Sequence, residues 1–196
     1  MQVKFKTTSN LAKTFLMKTE SSALLRLYAT TAKKSGFESV SELFKRLIDV
    51  ENEHAKLIYD FLNDNLLKEA QDSSVSKSIT VYKELLVNFA DTTSNVTNII
   101  NIKNKSLLFF QEFAEIAELE DFLNISKTFN NLAIVEKNQI QELEKIRQRL
   151  EDNTMFVSEE ACDWYCNKCA YVHRSIQAPE ICPLCKQAKA NFSRLL

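Results

Sequence analysis

The sequence predicts a mainly α protein: a four-helix bundle followed by a small metal-binding domain. Residues 1–160 contain no proline and a single glycine, Gly36, whereas a turn-rich β fold needs both residue types. Apolar residues in this part recur at helical spacing. The last thirty-five residues instead hold all five cysteines and both prolines. We therefore assign residues 1–155 to the bundle and residues 156–196 to the metal-binding domain.

Four helices are predicted, as two pairs joined by a long crossover. They span about residues 10–34, 39–69, 91–118 and 122–150. Ser35-Gly36 ends the first helix as a left-handed cap, Ser39 or Ser41 caps the second, and residues 91–94 cap the third. Polar residues 71–80 form the crossover, and a short helical stretch is predicted at 79–89. Two helix pairs with such a connection are typical of a ferritin-like four-helix bundle.

The cysteine spacing predicts a tetrathiolate metal site. Cys166-Asn-Lys-Cys169 is followed after twelve residues by Cys182-Pro-Leu-Cys185. Each pair places two sulfurs on one side of a tight turn, and two such turns complete a tetrahedron around zinc or a single iron. Disulfides would need an oxidising compartment, but Met-Gln-Val-Lys-Phe-Lys at the start is no apolar signal segment. We expect a cytoplasmic protein. Cys162 is interpreted as a bystander thiol, with a spare ligand as the alternative.

The residues around these cysteines favour iron. Trp164, Tyr171 and Phe192 supply an apolar shell that shields a redox centre from solvent. The run CDWYCNKCAYVHRSIQAPEICPLCKQAKANF resembles the rubredoxin domain that ends rubrerythrins, notably in YVH, APE and CPLC. Ala170 departs from the glycine that rubredoxin knuckles usually carry, and a positive φ there would cost about 1 kcal/mol. One iron is therefore expected in the four-cysteine site, and a structural zinc ribbon stays the alternative.

Buried polar residues also mark the bundle. Glu51 and His54 fall on the apolar stripe of the second helix at i, i+3 spacing, and Glu136 falls on the stripe of the fourth. A Glu-x-x-His pair aims a carboxylate and an imidazole at one metal. A lone buried histidine is more often a hydrogen-bonded core residue. Two buried carboxylates beside it favour a polar site, because unpaired buried charges are costly.

The resemblance to rubrerythrins extends along the whole chain. Its landmarks are Ala32-Lys-Lys-Ser-Gly-Phe37, Glu51-Asn-Glu-His-Ala-Lys56 and Glu112-Phe-Ala-Glu115, followed by the rubredoxin-like tail. It implies an NADH-linked di-iron peroxidase of oxidative-stress defence, with electrons arriving through the rubredoxin iron. It also implies a homodimer and an electron-donor reductase as partner.

The family's di-iron ligands do not carry over completely. Glu51, His54 and Glu136 are retained, which is three of seven ligand positions. An ungapped count places other residues at the remaining four: Lys18, Ile102, Lys105 and Gln139. Two aromatic hydroxyls that the family places near the irons are replaced, at Leu25 and Phe110.

Charge then predicts that the di-iron centre is absent. Two irons carry at least four positive charges, and ammonium groups at Lys18 and Lys105 would repel them in a low-dielectric interior. Two glutamates and two lysines sum to zero without metal. The predicted core therefore pairs the lysines with Glu51 and Glu136. Periodicity alone does not decide whether Lys18 or Glu20 faces inward; the ungapped match favours Lys18.

Three functions follow as hypotheses, and whether the chain is an enzyme stays open. The first is electron transfer or redox sensing at the iron of the four-cysteine site, with a degenerate bundle. The second is a peroxidase with remodelled ligands, binding one iron through Glu51, His54 and Glu136. The third is a zinc-stapled structural protein. A formal net charge of −1 and the absence of a long apolar run give no reason to expect nucleic acid or membrane partners.

Overall fold

The computed structural model describes residues 6–62 and 91–195. In these ranges the chain forms four long helices and one three-stranded antiparallel sheet, which confirms the predicted fold class. The helices are α1 (Lys6–Lys34), α2 (Glu38–Phe61), α3 (Thr92–Leu119) and α4 (Leu123–Glu151). The strands are β1 (Val157–Cys166), β2 (Val172–Gln177) and β3 (Phe192–Arg194), in the order β2-β1-β3. The predictions for residues 63–90, including the crossover and the end of the second helix at Glu69, lie outside the described ranges.

The turn between α1 and α2 has the predicted glycine cap. Gly36 has φ +80°, and the N–H of Phe37 donates to the carbonyl of Ala32 at 2.9 Å. The predicted serine cap is wrong, since α2 begins at Glu38 after Phe37 with no side-chain cap. The chain leaves the glycine directly into helix, so Ser39 and Ser41 already lie inside it, and Ser41 is buried.

The third helix begins as its sequence predicts. The carboxylate of Asp91 accepts a hydrogen bond from the N–H of Ser94 at 2.9 Å. The turn from α3 to α4 is held by a hydrogen bond in which the N–H of Phe122 donates to the carbonyl of Ala117 at 2.8 Å. Asp121 supplies the left-handed residue in this turn, with φ +64°. These short turns make α1–α2 and α3–α4 antiparallel pairs.

The apolar core of the bundle consists of two separate clusters. One contains Leu25, Phe44 and Ile99, toward the end where α2 and α3 begin. The other contains Phe110 and Phe129, toward the end where α3 and α4 meet. Buried charged side chains lie between the two clusters, at the middle of all four helices. The middle of the bundle is therefore a polar layer between two apolar ones.

The small domain packs against the α1–α2 turn. The ring of Phe156 stacks on that of Phe37, with centroids 6.2 Å apart and planes 5° apart. A side chain at Gly36 would meet Ala190 at 3.9 Å. Trp164 on β1 is fully buried at the centre of this domain. None of the described helices is both long and apolar enough to cross a membrane.

Candidate functional site

The four cysteines of the two CxxC pairs converge on one point. Their sulfur atoms all lie within 4.8 Å of one another. The Sγ atoms of Cys166 and Cys185 are 3.7 Å apart, and those of Cys169 and Cys182 are 3.6 Å apart. A tetrahedron with metal–sulfur bonds of about 2.3 Å has edges of about 3.8 Å. The donor set therefore fits a tetrahedral metal ion.

Both cysteine turns have the same backbone geometry. The N–H of Ala170 donates to the carbonyl of Cys166 at 2.9 Å, and the N–H of Lys186 donates to that of Cys182 at 3.0 Å. The donor residues have φ +62° and +60°, the left-handed region that favours glycine. The strain expected at Ala170 is therefore present, and Lys186 carries a second strained position that the sequence reasoning missed. Each positive φ costs about 1 kcal/mol of backbone strain, which other interactions in the cysteine site must offset.

An apolar shell encloses the inner half of this site. Trp164 and Phe192 are fully buried beside Cys166 and Cys182, and Tyr171 packs against them half-buried. The indole Nε1 of Trp164 donates to the carbonyl of Ser175 at 2.9 Å, so its one polar atom is satisfied. Cys162 is not part of the sulfur cluster; it lies on β1 opposite Ser175.

Thiol ionisation in the site is uneven. Burial would raise the pKa of the Cys182 thiol, but the N–H groups of Cys185 and Leu184 donate to its sulfur and lower the pKa to about 7. The N–H of Tyr171 would lower the pKa of the Cys169 thiol, but burial and the neighbouring thiols raise it to about 12. Without metal, the Cys182 thiol therefore ionises at lower pH than the Cys169 thiol. Metal binding must release protons, which makes the affinity depend on pH.

The polar layer of the bundle is a closed set of ion pairs. The ammonium group of Lys103 on α3 is 1% exposed and donates to Oε1 of Glu51. It also donates to Oε2 of Glu136 at 3.1 Å and to the amide oxygen of Gln139 at 2.6 Å. Its three N–H groups therefore have three acceptors.

A second buried lysine pairs with the same two carboxylates. Lys18 on α1 is 2% exposed; its Nζ donates to Oε1 of Glu136 and lies 3.0 Å from Oε2 of Glu51. The ring of Phe110 lies 5.1 Å from the same nitrogen. Lys18, Glu51, Lys103 and Glu136 thus alternate in sign around a square, here called the buried ion-pair ring. Its formal charge is zero.

The pKa shifts of two ring members, Lys18 and Glu51, favour their charged forms. Burial alone would lower the pKa of Lys18, but the charges of Glu51 and Glu136 raise it above its ordinary value. Burial alone would raise the pKa of Glu51, but Lys18 and Lys103 hold it below its ordinary value. Lys18 and Glu51 are therefore both charged at neutral pH.

The structure corrects the assignment on the third helix. Lys105 is exposed and Ile102 is only half-buried, whereas Lys103 and Ser106 are buried. The ungapped count from Phe110 put the inward positions one residue out of phase. Helical spacing identifies them directly, because positions seven residues before the buried Phe110 and Phe113 share their face.

On the first helix, Lys18 faces the interior of the bundle and Glu20 does not. Glu20 points away from the ring, half-buried, and burial raises its pKa; its Oε1 has no hydrogen-bond partner in the parts of the chain that are described. On α2, His54 is half-buried beside the ring, and its Nδ1 is likewise unpaired among the described residues. Burial, and then the charge of Lys18, lower its pKa, which keeps the imidazole neutral.

Comparisons with known proteins cover the whole chain. A family model described as "Rubrerythrin" matches residues 9–138, and one described as "Rubrerythrin, rubredoxin-like domain" matches residues 164–193. The chain is 29% identical over 191 residues to Rubrerythrin-1 of Clostridium acetobutylicum, covering 97% of this chain and 94% of that protein. It is 27% identical to rubrerythrin of Nitratidesulfovibrio vulgaris, with the same coverage. The solved structure of nigerythrin in a partially reduced state has a TM-score of 0.63 at 17% identity, covering 100% of this chain and 88% of that one. This last similarity supports the ferritin-like fold.

Replacing Lys103 should destabilise the bundle strongly, whereas replacing its exposed neighbour should not. Lys103→Met leaves two carboxylates facing one ammonium group, and losing one partner of a buried ion pair costs ~3–5 kcal/mol. Lys105→Met is the matched control and should change the free energy of unfolding by less than ~0.5 kcal/mol. Urea unfolding followed by far-ultraviolet circular dichroism measures both.

A second substitution separates charge from packing. Adding Glu51→Gln to Lys103→Met returns the layer to a formal charge of zero, so the double variant should be more stable than the sum of the two single effects. Equal losses for Lys103→Met and Lys105→Met, or strict additivity in the double variant, would contradict the buried ion-pair ring.

Proposed function

The chain belongs to the rubrerythrin family, and we propose that it acts in electron transfer or redox sensing at an iron held by Cys166, Cys169, Cys182 and Cys185. We further propose that its bundle holds no di-iron peroxidase centre. The observation that carries this second part is the pair of buried ammonium groups, Lys18 and Lys103, between the two surviving glutamates.

The small domain supports the first part of the proposal. Its four sulfurs lie at tetrahedral spacing, and an iron bound by four thiolates changes its charge by one electron without gaining or losing a ligand. Trp164 and Phe192 keep water from the inner pair, Cys166 and Cys182. The N–H groups of Cys185 and Leu184 that donate to the Cys182 sulfur stabilise negative charge at the site.

The bundle supports the second part through the charges that surround the two carboxylates. Both oxygens of Glu51 and both oxygens of Glu136 already face an ammonium nitrogen. Each unit charge of a cation placed about 4 Å from an ammonium group costs ~4 kcal/mol at an effective dielectric of about 20. Gln139 offers Lys103 an amide oxygen where the family's pattern has a histidine. The two lysines therefore neutralise the two carboxylates, and the layer keeps no excess negative charge for a metal ion.

The remodelled peroxidase is disfavoured by the same contacts. A single iron at Glu51, His54 and Glu136 would have to displace both lysines from the carboxylates. Among these three residues, Nδ1 of His54 and Oε2 of Glu51 have no hydrogen-bond partner in the described parts of the chain, but Oε2 of Glu51 lies 3.0 Å from the ammonium nitrogen of Lys18. A zinc-stapled structural protein stays the second candidate, since four thiolates bind zinc as well as iron.

We also propose that the protein is a cytoplasmic homodimer served by an electron-donor reductase. The five cysteines are all free, as thiols are in a reducing compartment. Leu27 on α1 and Leu108 on α3 are 36% and 66% exposed, which is consistent with a partner surface on these helices.

Sedimentation velocity should show a dimer at micromolar concentration. A monomer there would refute this assembly.

Metal analysis tests the cysteine site. Anaerobically prepared protein should contain about one iron per chain and be red when oxidised, because ferric tetrathiolate absorbs strongly in the visible. Replacing the four metal-binding cysteines by serine should remove both the iron and the colour, while Cys162→Ser should retain them. A colourless protein with one zinc per chain would favour the structural alternative.

Restoring carboxylates to the polar layer should create a metal requirement. The variant carries Lys18→Glu, Lys103→Glu, Ser106→Glu and Gln139→His, with the four metal-binding cysteines replaced by serine. Its bundle should be destabilised without metal, because like charges repel, and ferrous iron should raise its melting temperature by mass action. Helical circular dichroism follows the bundle alone.

The control keeps the changes on α1 and α4 but moves the two carboxylates on α3 to positions outside the layer, Ile102 and Lys105. Lys18→Glu, Ile102→Glu, Lys105→Glu and Gln139→His, in the same serine background, should show no comparable rescue by ferrous iron. The serine background without bundle changes should also be indifferent to iron. A rise in its melting temperature on adding ferrous iron would mean that the native bundle binds metal, and the peroxidase hypothesis would replace the degenerate one.

A further inference from the structure

The cysteine site reaches the surface on one side only. Cys166 and Cys182, the first cysteine of each pair, are 0% exposed, whereas Cys169 and Cys185 are half-buried. The second cysteine of each turn therefore lies nearest to solvent. A protein that exchanges an electron with this site can approach it most closely from that side.

Apolar and basic side chains surround this exposed edge. Leu184, within the second cysteine turn, is 64% exposed, and Pro183 beside it is exposed as well. Lys168 lies within the first turn and Lys186 directly follows the second, both exposed. We call these residues, together with the exposed Ala170, the cysteine face: Lys168, Ala170, Pro183, Leu184 and Lys186.

The two lysines of the cysteine face have no carboxylate partners among the described residues. Two acidic residues of this domain form ion pairs with other side chains: Glu180 pairs with Lys189 at 2.8 Å, and Asp163 pairs with Arg174 at 3.2 Å. Lys186 donates from its Nζ to the carbonyl of Pro183 at 2.9 Å, which fixes its ammonium group beside the turn. The face is therefore locally positive although the whole chain has a formal charge of −1.

We propose that the cysteine face is the docking surface for an acidic one-electron carrier protein. This proposal rests on the proposed function, since a bundle without iron offers no acceptor inside the chain. An apolar centre with an unpaired charged rim suits a small, transient interface, in which charge steers the encounter and the exposed leucine excludes water at contact. The carrier gains or loses one electron as the site loses or gains one, and no bond is made or broken.

Binding is tested first without redox chemistry. The full chain, loaded with zinc and labelled with nitrogen-15, is titrated with cytochrome b5, a small acidic haem protein that serves as the probe. Amide shifts should change at residues 168–170 and 183–186. Lys168→Glu with Lys186→Glu should weaken binding at least tenfold at low ionic strength. Lys127→Glu with Lys145→Glu, which makes the same charge change on exposed positions of α4, should leave binding unchanged.

Kinetics of the iron-loaded chain then test the electron transfer. The rate at which the reduced chain reduces ferric cytochrome b5 should fall as salt is added, because opposite charges attract. The Lys168→Glu and Lys186→Glu variant should lose both the salt dependence and at least tenfold in rate at low salt. The α4 control should keep both. Unchanged binding and rate in the face variant would overturn the proposal.

The same variants and the same probe distinguish two further outcomes. If the face variant alters the sedimentation of the chain and leaves cytochrome b5 binding intact, a second copy of the chain occupies the face and the proposal fails. If the isolated chain carries zinc and cannot be loaded with iron, the proposed function fails, while the binding titration still decides the docking surface.

Discussion

The buried ion-pair ring is the constraint on which the arrangement of the bundle depends. Removing an ion from water costs several kcal/mol even after relaxation, so four buried charges are stable only if each faces its opposite. Lys18, Glu51, Lys103 and Glu136 come from four different helices, and each carboxylate contacts both lysines. Rotating any one helix would break two ion pairs at once. The ring therefore fixes the relative rotation of all four helices, a specificity that the two apolar clusters alone would not provide.

The ring also explains why an amide fits the fourth helix at Gln139. Lys103 has three N–H groups but only two carboxylates within reach, so it needs a neutral acceptor. A carboxylate in that place would give the layer a net negative charge, and a protonated imidazole would add a third cation. The amide oxygen accepts the remaining hydrogen bond at 2.6 Å without changing the charge.

The sequence predicted the features that depend on local chemistry. The glycine cap after α1, the Asp91 cap of α3 and the two CxxC turns each need only a few adjacent residues, so short motifs identify them. Phase along a helix is a property of the whole fold. The count from the family resemblance placed Lys105 inward, whereas the buried face of α3 carries Lys103. The serine cap of α2 failed because the glycine turn at Gly36 starts the helix at Glu38, before either serine. Glu20 could not be placed by periodicity, since two faces of α1 carry apolar residues.

The two sites differ in how many structural elements a single substitution affects. The four-cysteine site is built from two short turns, and its geometry depends on backbone hydrogen bonds within each turn. The bundle site instead joins four helices, so a change of charge on one helix must be balanced on another. With Glu51 and Glu136 in place, a single lysine leaves the layer at −1 and one oxygen of each carboxylate without an ammonium partner. A second lysine restores neutrality and places an ammonium nitrogen beside both of those oxygens. Both lysines are therefore needed to pair the two buried carboxylates completely. The neutral ion-pair layer thus joins the four helices through side-chain contacts alone, while the four cysteines of the small domain converge at the spacing of a tetrahedral metal site.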